Sequence, residues 1–577
     1  MSIPGELERA RRLTFADDEV AAKELLLALL PRIEAQQRDD WALEDLAQLG
    51  ELYLTRTAYD GVRESVRRLR ECLAVYRSVL DGSATDDVVS QVTMSTRDVE
   101  HLVTRYSRRA QFLETGLAAA IGDHTAAAHL LAGLDGSTSE FDDLVTEFAH
   151  LRLRARVECA RALCDDDLHV RSEPLWQQAI EDLGEFPGDA EEADRLWVLV
   201  ALGYARFCIE TGRRAEAEPW LRRAGARATS REWPLVTART QLERAAASWQ
   251  AGDHVTTERL VNECYPVIAQ YARADDVWRC WLYFGLTRLA AGGLQAADDC
   301  WEHAERHWRE LGKPLFIHRI LLQRSWIAIF RGRYPDAVAM VGQARELLDS
   351  TPRSSWLAYA RLDDHLGTIW RADALADLGF DGAGDPDEEW TDAEARYEAS
   401  LGVIDGEAGT PAYETAMTKL GKAAELKIPA ALAVDSVRYA ITDAEARAQW
   451  GRCISAPLLA SAFAVAWESE DDELVASLIE YHSARGTFAA DLPSTDGLEF
   501  SRVATAAAPV SDLDELALVA GGEPGDEAGP SLTRLGPLPP LRMDPTAEPL
   551  LTRYRDLALQ RYGQHVTAPE PAWSTWP

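Results

Sequence analysis

Four glycines, Gly212, Gly252, Gly292 and Gly332, stand forty residues apart, and the apolar and small positions around them keep the same interval. A leucine lies ten residues before each: Leu202, Leu242, Leu282 and Leu322. Small residues follow at five positions on (Ala217, Thr257, Ala297, Ala337) and at twelve (Ala224, Cys264, Ala304, Ala344). This spacing predicts a helix, a glycine turn and a second helix. The turn needs a residue that tolerates positive φ, and two antiparallel helices approach closely only where their facing residues are small. One such pair cannot bury its apolar face alone, so neighbouring pairs are expected to stack. Ala, Leu, Arg and Glu dominate, while Gly and Pro are sparse before the last ninety residues. The expected class is all-α.

The motif around these glycines resembles the tetratricopeptide repeat (TPR), whose pattern is W-x2-L-G-x2-Y, then A-x3-F, then A. Trp281, Phe284 and Gly285, followed by Ala297, Trp301 and Ala304, match it except at the tyrosine, where Arg288 stands. Leu46, Leu49, Gly50 and Tyr53 repeat the spacing near the N-terminus, and Gly122, Ala127 and Leu131 give a third instance. The resemblance implies a TPR-like α-solenoid, with a period of forty instead of thirty-four residues.

Five segments are expected: degenerate helix pairs over 1–194, the regular repeats over 195–350, and further helical repeats over 351–486. A Pro/Gly-rich strap over 487–546, unsuited to helix or packed strand, then leads to a terminal helix and tail over 547–577. That helix offers Leu550, Leu551, Tyr554, Leu557, Leu559 and Tyr562 for docking.

The net charge of −35 disfavours a nucleic-acid backbone or anionic lipid as partner. Eight cysteines without a CxxC pair read as free thiols of a reducing compartment. The longest apolar run, Ala456–Trp467, is too short to span a bilayer, and the N-terminus lacks a leader's apolar region, so a cytoplasmic address is expected.

No catalytic constellation emerges, and no metal or cofactor is expected. Cys300, His303 and His307 share one helix face, but neither HExxH nor paired cysteines are present, and the stretch reads as scaffold. The acidic loop Asp377–Glu388 follows an EF-hand count only in part, with Gly379 at the third position and Gly384 at the eighth. Asp39, Asp40 and Glu44 evoke a metal-diphosphate helix, although acidic pairs usually mark a solvated helix start.

In the TPR fold the first helix of each pair lines the concave groove. Carrying the groove positions over places Arg239, Arg279 and Arg319 in one column and Arg206, Leu286 and Trp326 in another, with Trp249 nearby. An arginine ladder beside an aromatic stripe suits an acidic amphipathic segment of a protein partner. The competing reading pairs these arginines with acids of the neighbouring repeat. A clamp for a peptide C-terminus is disfavoured, since TPR clamps use groove asparagines and the chain has a single one, Asn262.

Residues 431–486 and 536–563 also resemble the TPR region of actinobacterial proteins linked to caspase-like CHAT peptidases. The protease's His-Gly dipeptide is missing, so the resemblance implies a non-enzymatic scaffold or sensor for a separate CHAT-type effector in a bacterial conflict system. The alternatives are an α-helical toroid enzyme with an acidic metal-dependent pocket and a peptide-gated regulator.

Overall fold

The computed structural model describes residues 2–136, 140–166, 168–184, 186, 190–351, 355–379, 408–440, 447, 450–485, 538–544 and 546–574. Among the described residues the chain is all-α apart from one strand pair of two residues each. No helix among the described residues is long and apolar enough to cross a membrane. The chain divides into two compact units at Arg288–Leu289, inside the regular central block.

Unit 1 is a succession of helices, most of them packed on their sequence neighbours: α1 (Ile3–Phe15), α2 (Glu19–Glu34), α3 (Asp39–Thr55), α4 (Tyr59–Leu80), a short α5 (Asp86–Gln91), α6 (Thr96–Ala120), α7 (His124–Asp135), α8 (Val145–Asp165), α9 (His169–Gly184), α10 (Ala190–Glu210), α11 (Arg214–Ser230), α12 (Pro234–Gln250), α13 (His254–Tyr271) and most of α14 (Ala274–Ala290). The turns explain the regularity. Residues with left-handed φ occur at Gly212, Glu232, Gly252, Ala272, Gly292, Gly312 and Gly332, one every twenty residues. The forty-residue period is thus two helix-plus-turn units. At most of these turns the next residue's N–H reaches back five positions, as Arg213 to Cys208 (2.7 Å) and Asp253 to Ser248 (3.0 Å), which caps the helix end. Asp17, Gln37 and Thr57 repeat the twenty-residue step near the N-terminus without a glycine.

The small columns face inward as expected. Ala217, Ala224, Thr257, Cys264, Ala297, Ala304, Ala337 and Ala344 are all buried. The leucine column is less uniform: Leu242 is fully buried, whereas Leu202, Leu282 and Leu322 are half-buried. Unit 1 also turns back on itself. Asp17, between α1 and α2, accepts from Arg195 of α10 (2.9 Å) and from Arg273 before α14 (2.6 Å), 178 and 256 residues further on.

Unit 2 continues with α15 (Leu294–Glu310), α16 (Pro314–Phe330), α17 (Tyr334–Asp349) and α18 (Trp356–Asp377). It then gives α19 (Pro411–Ser436), a π-helical turn at Gly451–Ser455, α20 (Ala456–Glu468), α21 (Asp472–Arg485) and α22 (Thr552–Tyr562). Helices α18 and α19 meet closely because Gly367 leaves room: a Cβ there would stand 2.5 Å from Cγ of Lys427, whose buried ammonium bonds Asp364 at 2.9 Å.

The C-terminal segment differs from expectation at one point. Leu541–Arg542 (β1) pairs in parallel with Trp573–Ser574 (β2), although Pro539 and Pro540 precede it. Prolines lack the N–H but keep the carbonyl, and Pro540 accepts from Trp573 N–H at 2.8 Å. The terminal helix packs on α19 and α18 through Ala558 and Tyr562, while Leu559, counted among its docking residues, is exposed. Tyr562 Oη donates to Asp363 at 2.6 Å.

Candidate functional site

The arginines singled out in the sequence lie on the first helices of their pairs. In unit 1 most of them are already bonded. Arg206 donates from Nη2 to Asp165 (2.7 Å) and from Nε to Glu210 (2.7 Å). Arg239 holds Asp276 (2.8 Å), and Arg279 holds both oxygens of Glu243, the Nη2 contact being 2.7 Å. Asp276 is held below the usual carboxylate range, since Arg239 outweighs the opposing effect of burial. These contacts follow the competing pairing reading for Arg206, Arg239 and Arg279.

The partners are legible only in hindsight. Arg206 and Asp165 are 41 residues apart, Arg213 and Glu173 are 40, Arg239 and Asp276 are 37, and Arg279 and Glu243 are 36. All are close to one repeat. A search for opposite charges one period apart would have found them. Histidines obey the same rule: His101 pairs with Asp143 (2.8 Å), His124 with Asp166 (2.8 Å), His169 with Glu210 (2.9 Å), and His150 with Glu192, all 41 or 42 residues apart.

A second charge cluster belongs to the N-terminal helices. Glu44 accepts from Arg11 (2.9 Å) and Arg109 (2.6 Å), and Glu51 accepts from Arg109 (2.8 Å) and Arg154 (2.7 Å). Burial would raise Glu51, but Arg154 and Arg109 pull its carboxyl down to about 2. Asp39 accepts from Tyr76 and Asp40 from Arg38, so the acidic trio of the diphosphate idea is engaged with protein donors. Asp377, first in the calcium count, pairs with Lys419 at 2.7 Å; residues 380–388 of that loop lie outside the described residues.

The aromatic positions divide between the units. Trp249 is half-buried, stacked on His254 at 4.6 Å and near Tyr283, and Leu286 is half-buried. In unit 2, Trp326 is exposed, lies 6.2 Å from the Phe330 ring and 4.7 Å from that of His365, and His365 accepts or donates at 2.6 Å to Ser325 Oγ. Burial lowers His365 to about 4, which keeps it neutral against the indole. Arg319, two turns earlier on α16, stands over the Phe316 ring at 5.8 Å, and among the described residues no carboxylate pairs with it. Half-buried Arg319 and exposed Trp326 thus lie two turns apart along one side of α16.

No protein-family model matches the chain, and no curated protein is significantly similar to it.

Proposed function

We propose that the protein is a non-enzymatic, TPR-like α-solenoid scaffold that holds a protein partner on the first helices of its pairs, with the main contact at Arg319 and Trp326. The observation carrying this reading is the contrast along one column. Arg239 and Arg279 are neutralised by acids of neighbouring helices, whereas among the described residues no acid pairs with Arg319, which lies two turns before the exposed Trp326 on the same helix. Exposed aromatics beside an unneutralised guanidinium are the residue types that anchor interfaces, and the guanidinium fork suits a carboxylate. The partner is accordingly an acidic segment with an apolar face.

The resemblance of residues 431–486 to CHAT-linked repeat regions suggests a separate CHAT-type peptidase as that partner, in a cytoplasmic bacterial conflict system. The twenty-residue helix-plus-turn step supports the repeat reading. The test is binding of the purified chain to a purified CHAT-type peptidase. Arg319→Glu together with Trp326→Ala is expected to abolish the complex, and retention at wild-type affinity would remove the assignment.

A further inference from the structure

Cys164, His169 and Glu210 bring one donor atom each to a common point: the thiol sulfur, a ring nitrogen and a carboxylate oxygen all lie within 4.8 Å of one another. Among the described residues this is the group of three that converges in this way. We infer that these three side chains form a binding site for a zinc-type divalent cation, with one coordination position left to water.

Each ligand sits where a helix ends. Cys164 is in the last turn of α8, His169 opens α9, and Glu210 closes α10. A bound ion would tie one helical pair to the next. Tetrahedral zinc with bonds of about 2.0–2.3 Å places neighbouring ligand atoms roughly 3.3–3.5 Å apart, so a closure of about an ångström suffices. His169 Nε2 and Glu210 Oε2, hydrogen-bonded at 2.9 Å, would part by a few tenths of an ångström to become two ligands. The set is chemically selective: thiolate and imidazole favour zinc-like ions over calcium or magnesium, which take oxygen ligands.

The surroundings orient the donors. Arg206 Nε bonds Glu210 Oε1 at 2.7 Å, leaving Oε2 facing His169, and Nη2 of the same arginine bonds Asp165 at 2.7 Å. Outer contacts of this kind fix the geometry of a carboxylate ligand. Ser172 Oγ lies 3.3 Å from the sulfur and donates to the His169 carbonyl at 2.7 Å. Burial pushes the Cys164 thiol up to about 12, so without an ion it is neutral. Binding displaces that proton: the S–H bond breaks, a metal–sulfur bond forms, and one proton is released to water, while the imidazole gives up the Nε2–H that bonds Glu210 and keeps its proton on Nδ1. The His169 and Glu210 side chains are less enclosed than the sulfur, with 12% and 27% of their surface accessible, and form the entry side.

Three sister rungs, His101–Asp143, His124–Asp166 and His150–Glu192, have the same histidine–carboxylate pairing but complete no such three-ligand group among the described residues. They are the internal control. The tag-free full chain, freed of metal and dialysed against micromolar Zn²⁺, is expected to retain one equivalent by elemental analysis. Its Co²⁺ form is expected to show a thiolate-to-metal charge-transfer band in the near ultraviolet. Cys164→Ser should abolish the band, and His169→Gln should weaken zinc binding at least tenfold, while Cys72→Ser changes neither. Circular dichroism establishes that the variants are folded. Absence of retained metal in the folded wild-type chain would overturn the site, as would a band that survives Cys164→Ser. Partner binding plays no part in this readout.

Discussion

Arg279 donates through both terminal nitrogens to the two oxygens of Glu243, joining α14 to α12 across 36 residues of sequence. The pair is mostly enclosed, with 13% and 7% of the side-chain surface accessible. An arginine that reads as a partner contact in the sequence is therefore structural, and the two roles predict different variants. Arg279→Glu places two carboxylates together away from water and is expected to cost about 3–5 kcal/mol. Arg319→Glu is expected to leave the melting temperature within a degree or two. Calorimetry of the two variants distinguishes them.

Asp45 makes the opposite case. Its side chain is fully buried, and among the described residues neither oxygen has a hydrogen-bond partner. Burial, reinforced by Glu44, raises its carboxyl to about 8. A raised folded-state value means that the folded chain binds the proton more tightly, so Asp45's contribution is present at acid pH and falls as pH rises from about 4 to about 8. Asp45→Asn is expected to stabilise the chain at pH 8 and to have little effect near pH 4. Denaturant midpoints at the two pH values measure the difference.

Glu51 carries the reverse sign. Its folded-state value of about 2 lies below the ordinary 4.5, so its stabilisation is complete at neutral pH and is lost as pH falls from about 4.5 to 2. Glu51→Gln is expected to lower stability at pH 7 and to flatten the acid limb of the unfolding curve.

The turns make a fourth test. Gly252 has φ of +75° with open space around the missing Cβ, so Gly252→Ala suffers backbone strain alone, about 1–2 kcal/mol. Glu232, at φ +57°, already bears that strain, and Glu232→Gly is expected not to lower the melting temperature. Equal losses at the two positions would contradict the account of the twenty-residue step.

What the sequence disclosed followed from steric rules. Gly212, Gly252, Gly292 and Gly332 mark turns because left-handed φ favours glycine, and Ala224 or Ala304 marks a close helix contact because little else fits. The same rule hid the alternate turns at Glu232 and Ala272, where residues with a Cβ accept the strain. Charge was harder to read. Nothing local to Arg239 announces Asp276, since the carboxylate approaches from the next pair. Cys164 and His169 are separated by a turn, and Glu210 arrives only through the fold, so no linear ligand motif exists to be found. The short β1–β2 pairing joins segments thirty-two residues apart, and its proline-rich flank masks it.

The central claim is that this chain works by contact at Arg319 and Trp326, and site-specific photo-cross-linking tests it most directly. A benzophenone amino acid at position 326, irradiated in the native host, is expected to yield one dominant protein adduct that disappears when Arg319→Glu is added. Cross-linking that persists undiminished with Arg319→Glu, or a partner that cross-links elsewhere on the chain and never at 326, would contradict it.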